Sequence, residues 1–331
     1  MKRAFIESLA PAIRAGERWA IAKGLTLAES TDYDKQRDFR SLMKILNISR
    51  TKDYRVAISG PPGAGKSSLI EKLGNQMVDD GHKVAVLAVD PSSVHSGGAI
   101  LGDKTRMPSL SRRTEAFVRA SSSGKCFGGV NRAMLNSVLF VSAAGYDRIL
   151  IETVGVGQNE TSVSNLVDCM VLVLPPVGGD ELQMIKRGIT EYADIVAVNK
   201  ADGSTKSAAM KTAASVSGTL HLCRSRRSGW SPPVVLTSAH SGQGVHELSR
   251  KIDEFYHAMD LGGDLQKERR SQLINLLWEA TENELVDALH RNQEVHNTVK
   301  SVYIPRVLRG ELSVSEAARD IIQTYLLRSS V

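Results

Sequence analysis

The residues best placed to do chemistry form a glycine-rich segment directly after an apolar run. The run Val56 to Ser59 is typical of a buried strand, and GPPGAGKS follows it in the pattern GxxxxGK[ST]. Glycines let backbone N–H groups point at phosphates, Lys66 adds a positive charge, and Ser67 offers a hydroxyl to Mg²⁺. The segment predicts nucleoside triphosphate binding through Gly60, Gly63, Ala64, Gly65, Lys66, Ser67 and Ser68.

Carboxylates at the ends of apolar runs are candidates for the metal and for hydrolysis. Asp90 and Glu152 each end such a run, Asp103 lies in GDKT, and Gly155 could bring its backbone N–H to the γ-phosphate. Mg²⁺ prefers hard oxygen ligands, although each carboxylate could instead cap a helix or occupy a turn. The expected catalytic residues are Lys66, Asp103 and Glu152, and the expected metal ligands are Ser67, Asp90, Asp103 and Glu152.

A second motif is a candidate for binding the base of the nucleotide. Asn199, Lys200, Ala201 and Asp202 follow the apolar run that begins at Ile195. A carboxylate there can accept both N–H groups of guanine's Watson–Crick edge, whereas adenine would leave it unpaired. Ser238 and Ala239 follow another apolar run and could supply a backbone N–H to guanine O6. Together with the phosphate-binding segment, these residues predict a GTPase that uses GTP, forms GDP and requires Mg²⁺.

The elements that position these residues alternate between short apolar strands and helical stretches. This alternation predicts an α/β fold of the P-loop NTPase type, with a mostly parallel central sheet flanked by helices and ligands at the strands' carboxyl ends. We expect a helical N-terminal extension over residues 1–50, the nucleotide-binding domain over 51–262 and a helical C-terminal region over 263–331. The predicted strands are Val56–Ser59, Val84–Val89, Ile149–Glu152, Met170–Leu174, Ile195–Asn199 and Val234–Thr237.

The composition narrows the function classes. The 331 residues carry a net charge of +6, but the basic residues are scattered and only 5% of residues are aromatic, which argues against nucleic-acid binding. No apolar run is long enough to cross a membrane. The three cysteines and eight histidines show no metal-ligand spacing. Met1 to Arg18 is basic, with Glu7 and Glu17 as its acidic residues, so it could be the remnant of an organelle-targeting segment or simply a helix, and we favour the helix.

Five further stretches are distinctive: VLAVDPSS from Val86, GGAILGDKTRM from Gly97, IETVGVGQNE from Ile151, DELQ from Asp180 and the NKAD run. With them, the chain resembles the MeaB/MMAA (ArgK-like) family of P-loop GTPases over nearly its whole length. The resemblance implies a GTPase chaperone that gates adenosylcobalamin loading and protects or reactivates methylmalonyl-CoA mutase. It also implies a homodimer built by a C-terminal dimerisation arm, with the adenosyltransferase as a further candidate partner.

The same resemblance suggests roles for three other segments. Pro176 to Lys186 resembles an additional switch of the family, although it could simply connect a strand to a helix. The run Pro175 to Gly179 is closer to the mitochondrial members, which implies the mitochondrial matrix for a eukaryotic source and the cytoplasm for a bacterial one. Ser121 to Val130 departs from the family pattern around Cys126, and Gln158 is a candidate for positioning the attacking water.

Three alternatives remain open from the sequence. A small-molecule kinase using ATP would share the phosphate-binding segment but would not need the guanine-reading residues. A metal-insertion GTPase would need clustered cysteine and histidine ligands. A nucleotide-gated scaffold would use the same switches as a chaperone, so the sequence does not separate those two.

Overall fold

The structure is a computed structural model of the chain. It describes residues 2–47, 52–90, 107–122, 129–153, 163–176, 193–222, 226–227 and 229–328. The chain divides into two compact units, Met1–Leu273 and Ile274–Val331.

One parallel sheet organises the first unit. In the described residues it has seven strands in the order β3-β2-β4-β1-β5-β6-β7, and every pairing is parallel. The strands are β1 Tyr54–Ser59, β2 Val84–Asp90, β3 Ala116–Ser122, β4 Arg148–Glu152, β5 Cys169–Leu174, β6 Ile195–Val198 and β7 Val234–Leu236. The P-loop fold is confirmed, and β3 is a strand that the apolar pattern did not predict.

Strand composition explains the layering. Every residue of β4 and β5 is buried, as expected for parallel strands covered on both faces. On one face Val56 and Ile58 pack with α4 (Lys66–Asp79) and α7 (Val245–Leu261). On the other face β5 and β6 pack with α6 (Lys206–Leu222). The β1 strand lies between β4 and β5, so its last residue delivers the chain to the carboxyl edge of the sheet at its centre.

The N-terminal extension is helical, as predicted. Its helices are α1 Lys2–Arg14, α2 Arg18–Ala28 and α3 Tyr33–Leu46, and α5 (Gly129–Ala143) packs against them. Gly24 of α2 faces the ring of Phe140, and a Cβ at that position would lie 2.1 Å from the ring's Cζ. A glycine is therefore required for this close approach of the two helices.

Buried charges join the amino edge of the sheet to α8 (Asp264–Arg291). The carboxylate of Asp168, wholly buried, accepts from Arg269 Nε at 2.7 Å, from its Nη2 at 2.6 Å and from the Tyr256 hydroxyl at 3.0 Å. Arg269 also contacts Asp53 Oδ1 at 3.2 Å. Burial alone would raise the pKa of Asp53, but Arg55 and Arg269 together lower it. We call Asp53, Asp168, Tyr256 and Arg269 the amino-edge cluster.

The second unit is helical. It contains the later part of α8, then α9 (Gln293–Thr298), a π-helical turn (Val299–Tyr303), α10 (Ile304–Leu308) and α11 (Val314–Arg328). Before α11, the Ser313 hydroxyl accepts from the Glu316 N–H at 3.2 Å, while the Glu316 carboxylate accepts from the Ser313 N–H at 2.9 Å. This reciprocal pair is the capping box that the sequence predicts.

Candidate functional site

The phosphate-binding segment forms a tight loop between β1 and α4. Gly60, Gly63 and Gly65 have positive φ values of 151°, 77° and 87°, a backbone conformation that residues other than glycine rarely adopt. A Cβ at Gly60 would lie 2.1 Å from Val173 O, and one at Gly65 would lie 2.5 Å from Asn199 Nδ2. Both the conformation and the close contacts therefore require glycine in this loop.

Lys66 begins α4 and points back into the loop. Its Nζ donates to Gly60 O at 2.8 Å and to Pro61 O at 3.2 Å, and the residue is 8% exposed. Burial lowers the pKa of Lys66, and the charge of Glu152 partly offsets that effect. The ammonium group is thus held in the loop by neutral carbonyls, which an anionic phosphate can replace as a stronger acceptor.

Ser67 and Glu152 meet at the carboxyl edge of the sheet. The Ser67 hydroxyl donates to Glu152 Oε1 at 2.5 Å, and Glu152 lies at the carboxyl end of β4. The second carboxylate oxygen, Oε2, is buried and has no hydrogen-bond partner among the described residues, and the same holds for the hydroxyl of Ser59. A buried charged oxygen without a partner is costly, and hard oxygen atoms of this kind are suitable ligands for Mg²⁺.

Asn199 connects the phosphate loop to the loop after β7. Its Nδ2 donates to Ala64 O at 2.9 Å, and its Oδ1 accepts from the Ala239 N–H at 3.1 Å. The side chain is almost completely buried. Because one amide group satisfies both loops, the phosphate-binding and base-reading parts of the site have a fixed separation.

Asp202 lies three residues after Asn199 and is partly exposed. Its Oδ2 is 3.6 Å from His240 Nδ1, and its side chain is 30% exposed. The Thr205 hydroxyl contacts two carbonyls of this loop, Lys200 O at 2.6 Å and Asp202 O at 2.8 Å. Lys200 itself has a φ of 57°. The carboxylate is therefore presented by a backbone turn that Thr205 stabilises.

The segment after β7 forms a second turn. The Ser238 N–H donates to Gln243 O at 2.9 Å, so it is already used within the turn. The Ala239 N–H is shared with Asn199, as described above. Of the two predicted donors, Ala239 is the one whose N–H lies at the junction of the loops. Its contact with guanine O6 stays a prediction.

Several predicted site residues fall outside the described residues. These are Asp103, Gly155 and Gln158, together with the side chain of Asp90 and the proposed switch beyond Pro176. The structure brings together Lys66, Ser67, Glu152, Asn199, Lys200, Asp202, Ser238 and Ala239 at the carboxyl edge of the sheet. Within the part of the chain described, no three His, Cys, Asp or Glu residues form a group able to hold a metal.

Comparison with known families fits this geometry. The family model described as methylmalonyl Co-A mutase-associated GTPase MeaB matches residues 21–294. The chain belongs to the MeaB family. The match spans the phosphate loop and both loops predicted to bind guanine. The chain is a P-loop GTPase, and the predicted fold and family resemblance are confirmed.

Individual relatives of this MeaB-family chain agree. It is 42% identical over 318 residues to a Mycobacterium tuberculosis protein named as a probable GTPase, covering 96% of this chain and 94% of the relative. The methylmalonic aciduria type A homolog, mitochondrial, of Mus musculus is 39% identical, with 98% of this chain and 80% of the relative covered. A crystal structure of an LAO/AO transport system kinase has 29% identity, a TM-score of 0.74 and 98% coverage of both chains.

Two contributors to the MeaB-family site were not predicted from the sequence. Thr205 orders the Asp202 loop, and a threonine three residues after the motif's aspartate was the available signal. His240 lies beside Asp202, and its place directly after Ser238 and Ala239 was the only hint.

In the described residues no helix is long and apolar enough to cross a membrane.

Proposed function

We propose that this chain is a GTP-hydrolysing chaperone that gates adenosylcobalamin loading and protects or reactivates methylmalonyl-CoA mutase. The observation that carries the nucleotide part is the Asn199 side chain, which joins the phosphate loop to the base-reading turn. The description of the matching family supports the mutase as partner.

The chemistry at the site assigns a role to each residue. Lys66 would release the carbonyls of Gly60 and Pro61 and bind the outer phosphates instead. The backbone N–H groups of the loop would surround these phosphates. Ser67 and Glu152 would hold Mg²⁺, and Glu152 Oε2, which has no partner among the described residues, would provide a suitable oxygen. A bound Mg²⁺ would neutralise phosphate charge that develops during hydrolysis. We expect Asp90 and Asp103 to contribute to the same region, with Lys66, Asp103 and Glu152 in the catalytic group.

Guanine selection is assigned to Asp202. Its carboxylate oxygens would accept guanine's N1–H and 2-amino group, which adenine does not offer together. Lys200 and the backbone of Ser238 and Ala239 would complete the base pocket. This assignment argues against the ATP-dependent kinase.

The second unit is proposed to form the homodimer. It exposes large apolar side chains, including Leu277 at 66%, Trp278 at 63% and Leu308 at 81% exposed. Apolar surface of this kind is typical of an interface. Light scattering of the wild type and Trp278→Glu tests this: a dimeric wild type and a dissociated variant are expected, and a monomeric wild type rejects it.

Partner and compartment are linked in this proposal. We place the chain where the mutase works, which is the mitochondrial matrix in a eukaryotic source and the cytoplasm in a bacterial one. The adenosyltransferase that makes adenosylcobalamin is a further proposed partner.

The test measures hydrolysis of GTP and ATP by the full chain, alone and with methylmalonyl-CoA mutase. We expect selectivity for GTP and faster turnover with the mutase. A rate indifferent to the mutase would reject this partner and leave the GTPase in place.

A nucleotide exchange sharpens the experiment. Xanthine carries a carbonyl where guanine has its 2-amino group, so Asp202→Asn should weaken GTP binding and favour xanthosine triphosphate. Mutase protection by this variant should then require xanthosine triphosphate instead of GTP. Protection that is independent of the added nucleotide would contradict nucleotide gating. Asp260→Asn, an exposed change outside the site, is the matched control.

A further inference from the structure

The Asp202 carboxylate does not cap the helical turn that follows it. Asp202 has an extended backbone, with φ of −133° and ψ of 167°, and directly precedes a 3₁₀ turn, Gly203–Thr205, that leads into α6. An aspartate in this position ordinarily accepts from a backbone N–H of the first turn. Within this turn, which the structure describes throughout, the Asp202 side chain makes no such bond. The carboxylate is therefore left for a ligand.

Thr205 closes the turn in place of the carboxylate. Its backbone N–H donates to Asp202 O at 3.2 Å. Its hydroxyl donates to Lys200 O at 2.6 Å and lies 2.8 Å from Asp202 O. One hydroxyl thus joins the carbonyls of the two residues that flank Ala201, and it fixes the backbone from which the Asp202 side chain extends.

The backbone that Thr205 holds is strained at Lys200. Its φ of 57° lies in the left-handed region, which is unfavourable for a residue other than glycine unless the surrounding structure holds it. The Ala201 N–H donates to Thr237 O at 2.9 Å and ties the next residue to the end of β7. The Thr205 hydroxyl adds a bond to the Lys200 carbonyl itself. Removing this hydroxyl should let the strained turn relax and move the carboxylate.

We propose that Thr205 determines guanine selectivity as a positioning residue, because its hydroxyl holds the turn that keeps the Asp202 carboxylate available to the base. The inference rests on Asp202 reading guanine. Guanine's N1–H and 2-amino group need both carboxylate oxygens at once, whereas hypoxanthine, the base of inosine, lacks the 2-amino group and needs only one. A displaced turn therefore weakens guanine binding more than hypoxanthine binding.

The experiment measures the affinity of the full chain for GDP and for inosine diphosphate by calorimetry. The decisive quantity is the ratio of the two dissociation constants, because partial unfolding would lower both affinities alike. Thr205→Val keeps the branched shape without the hydroxyl, and its preference for GDP should fall about three- to tenfold, the range for one lost hydrogen bond. Thr205→Ser keeps the hydroxyl and should restore the preference. A wild-type ratio in Thr205→Val would overturn the inference.

A matched control separates positioning from a general loss of structure. The Thr219 hydroxyl also donates to a backbone carbonyl, Ser215 O at 3.0 Å, but within α6. Thr219→Val should therefore keep the wild-type ratio. If Thr205→Val is too unstable to measure, Thr205→Ala removes the same hydroxyl and should show the same fall. Loss of both affinities by one common factor would mean that the hydroxyl only stabilises the domain, and would reject the inference.

Asp202→Asn separates this inference from the role of Asp202. If Asp202→Asn keeps the wild-type ratio of GDP to inosine diphosphate affinity, the guanine assignment itself fails and this inference fails with it. If Asp202→Asn loses the preference for GDP while Thr205→Val keeps it, only the role of Thr205 fails. Loss of the preference in both variants, with recovery in Thr205→Ser, supports both.

Discussion

The amino and carboxyl edges of the central sheet, where its parallel strands begin and end, differ in how their buried charged groups are paired. At the amino edge, Asp168 has three hydrogen bonds from Arg269 and Tyr256, and Arg269 is shared with Asp53. At the carboxyl edge, Glu152 Oε2 has no hydrogen-bond partner in the part of the chain that the structure describes, and Lys66 donates to neutral carbonyls. Satisfied charges at one edge stabilise the fold, whereas unsatisfied ones at the other provide groups for a ligand.

The largest expected effect tests the amino edge. Arg269→Met leaves the buried carboxylate of Asp168 without its Arg269 partner, while Asp53 keeps its pair with Arg55 at 2.8 Å, and the loss should cost about 3 to 5 kcal/mol of unfolding free energy. Urea unfolding measures this change, with the exposed neighbour Arg270→Met as control. GDP affinity of the folded variant should match wild type, and a large loss of affinity would show that the edges are not independent.

The second effect tests the carboxyl edge. Lys66→Met should weaken GTP binding about 100-fold, consistent with the loss of about 2 to 3 kcal/mol from charged hydrogen bonds. Its stability should be unchanged or higher, because burial lowers the pKa of Lys66 and the charged form therefore carries a folding penalty at neutral pH. Calorimetry and urea unfolding measure both, with exposed Lys72→Met as control. A stability loss as large as that of Arg269→Met would contradict the comparison.

Asn199 departs from the contrast between the two edges, because it lies at the carboxyl edge although both atoms of its side-chain amide have hydrogen-bond partners. Asn199→Ala removes both loop contacts and leaves Ala64 O and the Ala239 N–H without this partner, which should cost about 1 to 3 kcal/mol. GTP affinity should fall as well, because the loops lose their fixed separation. Thermal unfolding and calorimetry check the two effects, and exposed Asn297→Ala should change neither.

The smallest expected effect is on how the free energy of unfolding depends on pH. The pKa of Asp53 is lowered in the folded protein, so its contribution to stability is present above the unfolded carboxylate value, about 3.9, and is lost as pH falls through the lower folded value. The stability difference between wild type and Asp53→Asn should therefore shrink below about pH 4. Urea unfolding at pH 7 and in steps below pH 4 measures it. A difference that stays constant would show that Asp53 does not titrate differently on folding.

Local patterns predicted much of the molecule. The apolar runs gave six strands within one or two residues, and the spacing of Ser313 and Glu316 gave the capping box. The phosphate loop and the guanine-reading run were also visible, because their chemistry depends on neighbouring residues. The family model, which matches residues 21–294, spans both segments.

Long-range contacts could not be predicted in this way. Strand β3 contains Arg119 and ends in serines, so its apolar signal is weak, and it is a strand because β2 offers it an edge. Asp168 and Arg269 are 101 residues apart, and nothing local in either segment indicates their pairing. The same applies to the contact between Asn199 and Ala64, by which Asn199 also links two loops.

The central place of β1 also determines when the phosphate loop can take shape during synthesis. β1 pairs with β4, about 90 residues later, and with β5, more than 110 residues later. A nascent chain that ends before Val173 lacks the backbone carbonyl against which Gly60 packs. Because Val173 lies beyond the midpoint of the chain, the ribosome must synthesise over half of the chain before a nucleotide can help to stabilise the fold. Pairings between such distant strands also form slowly.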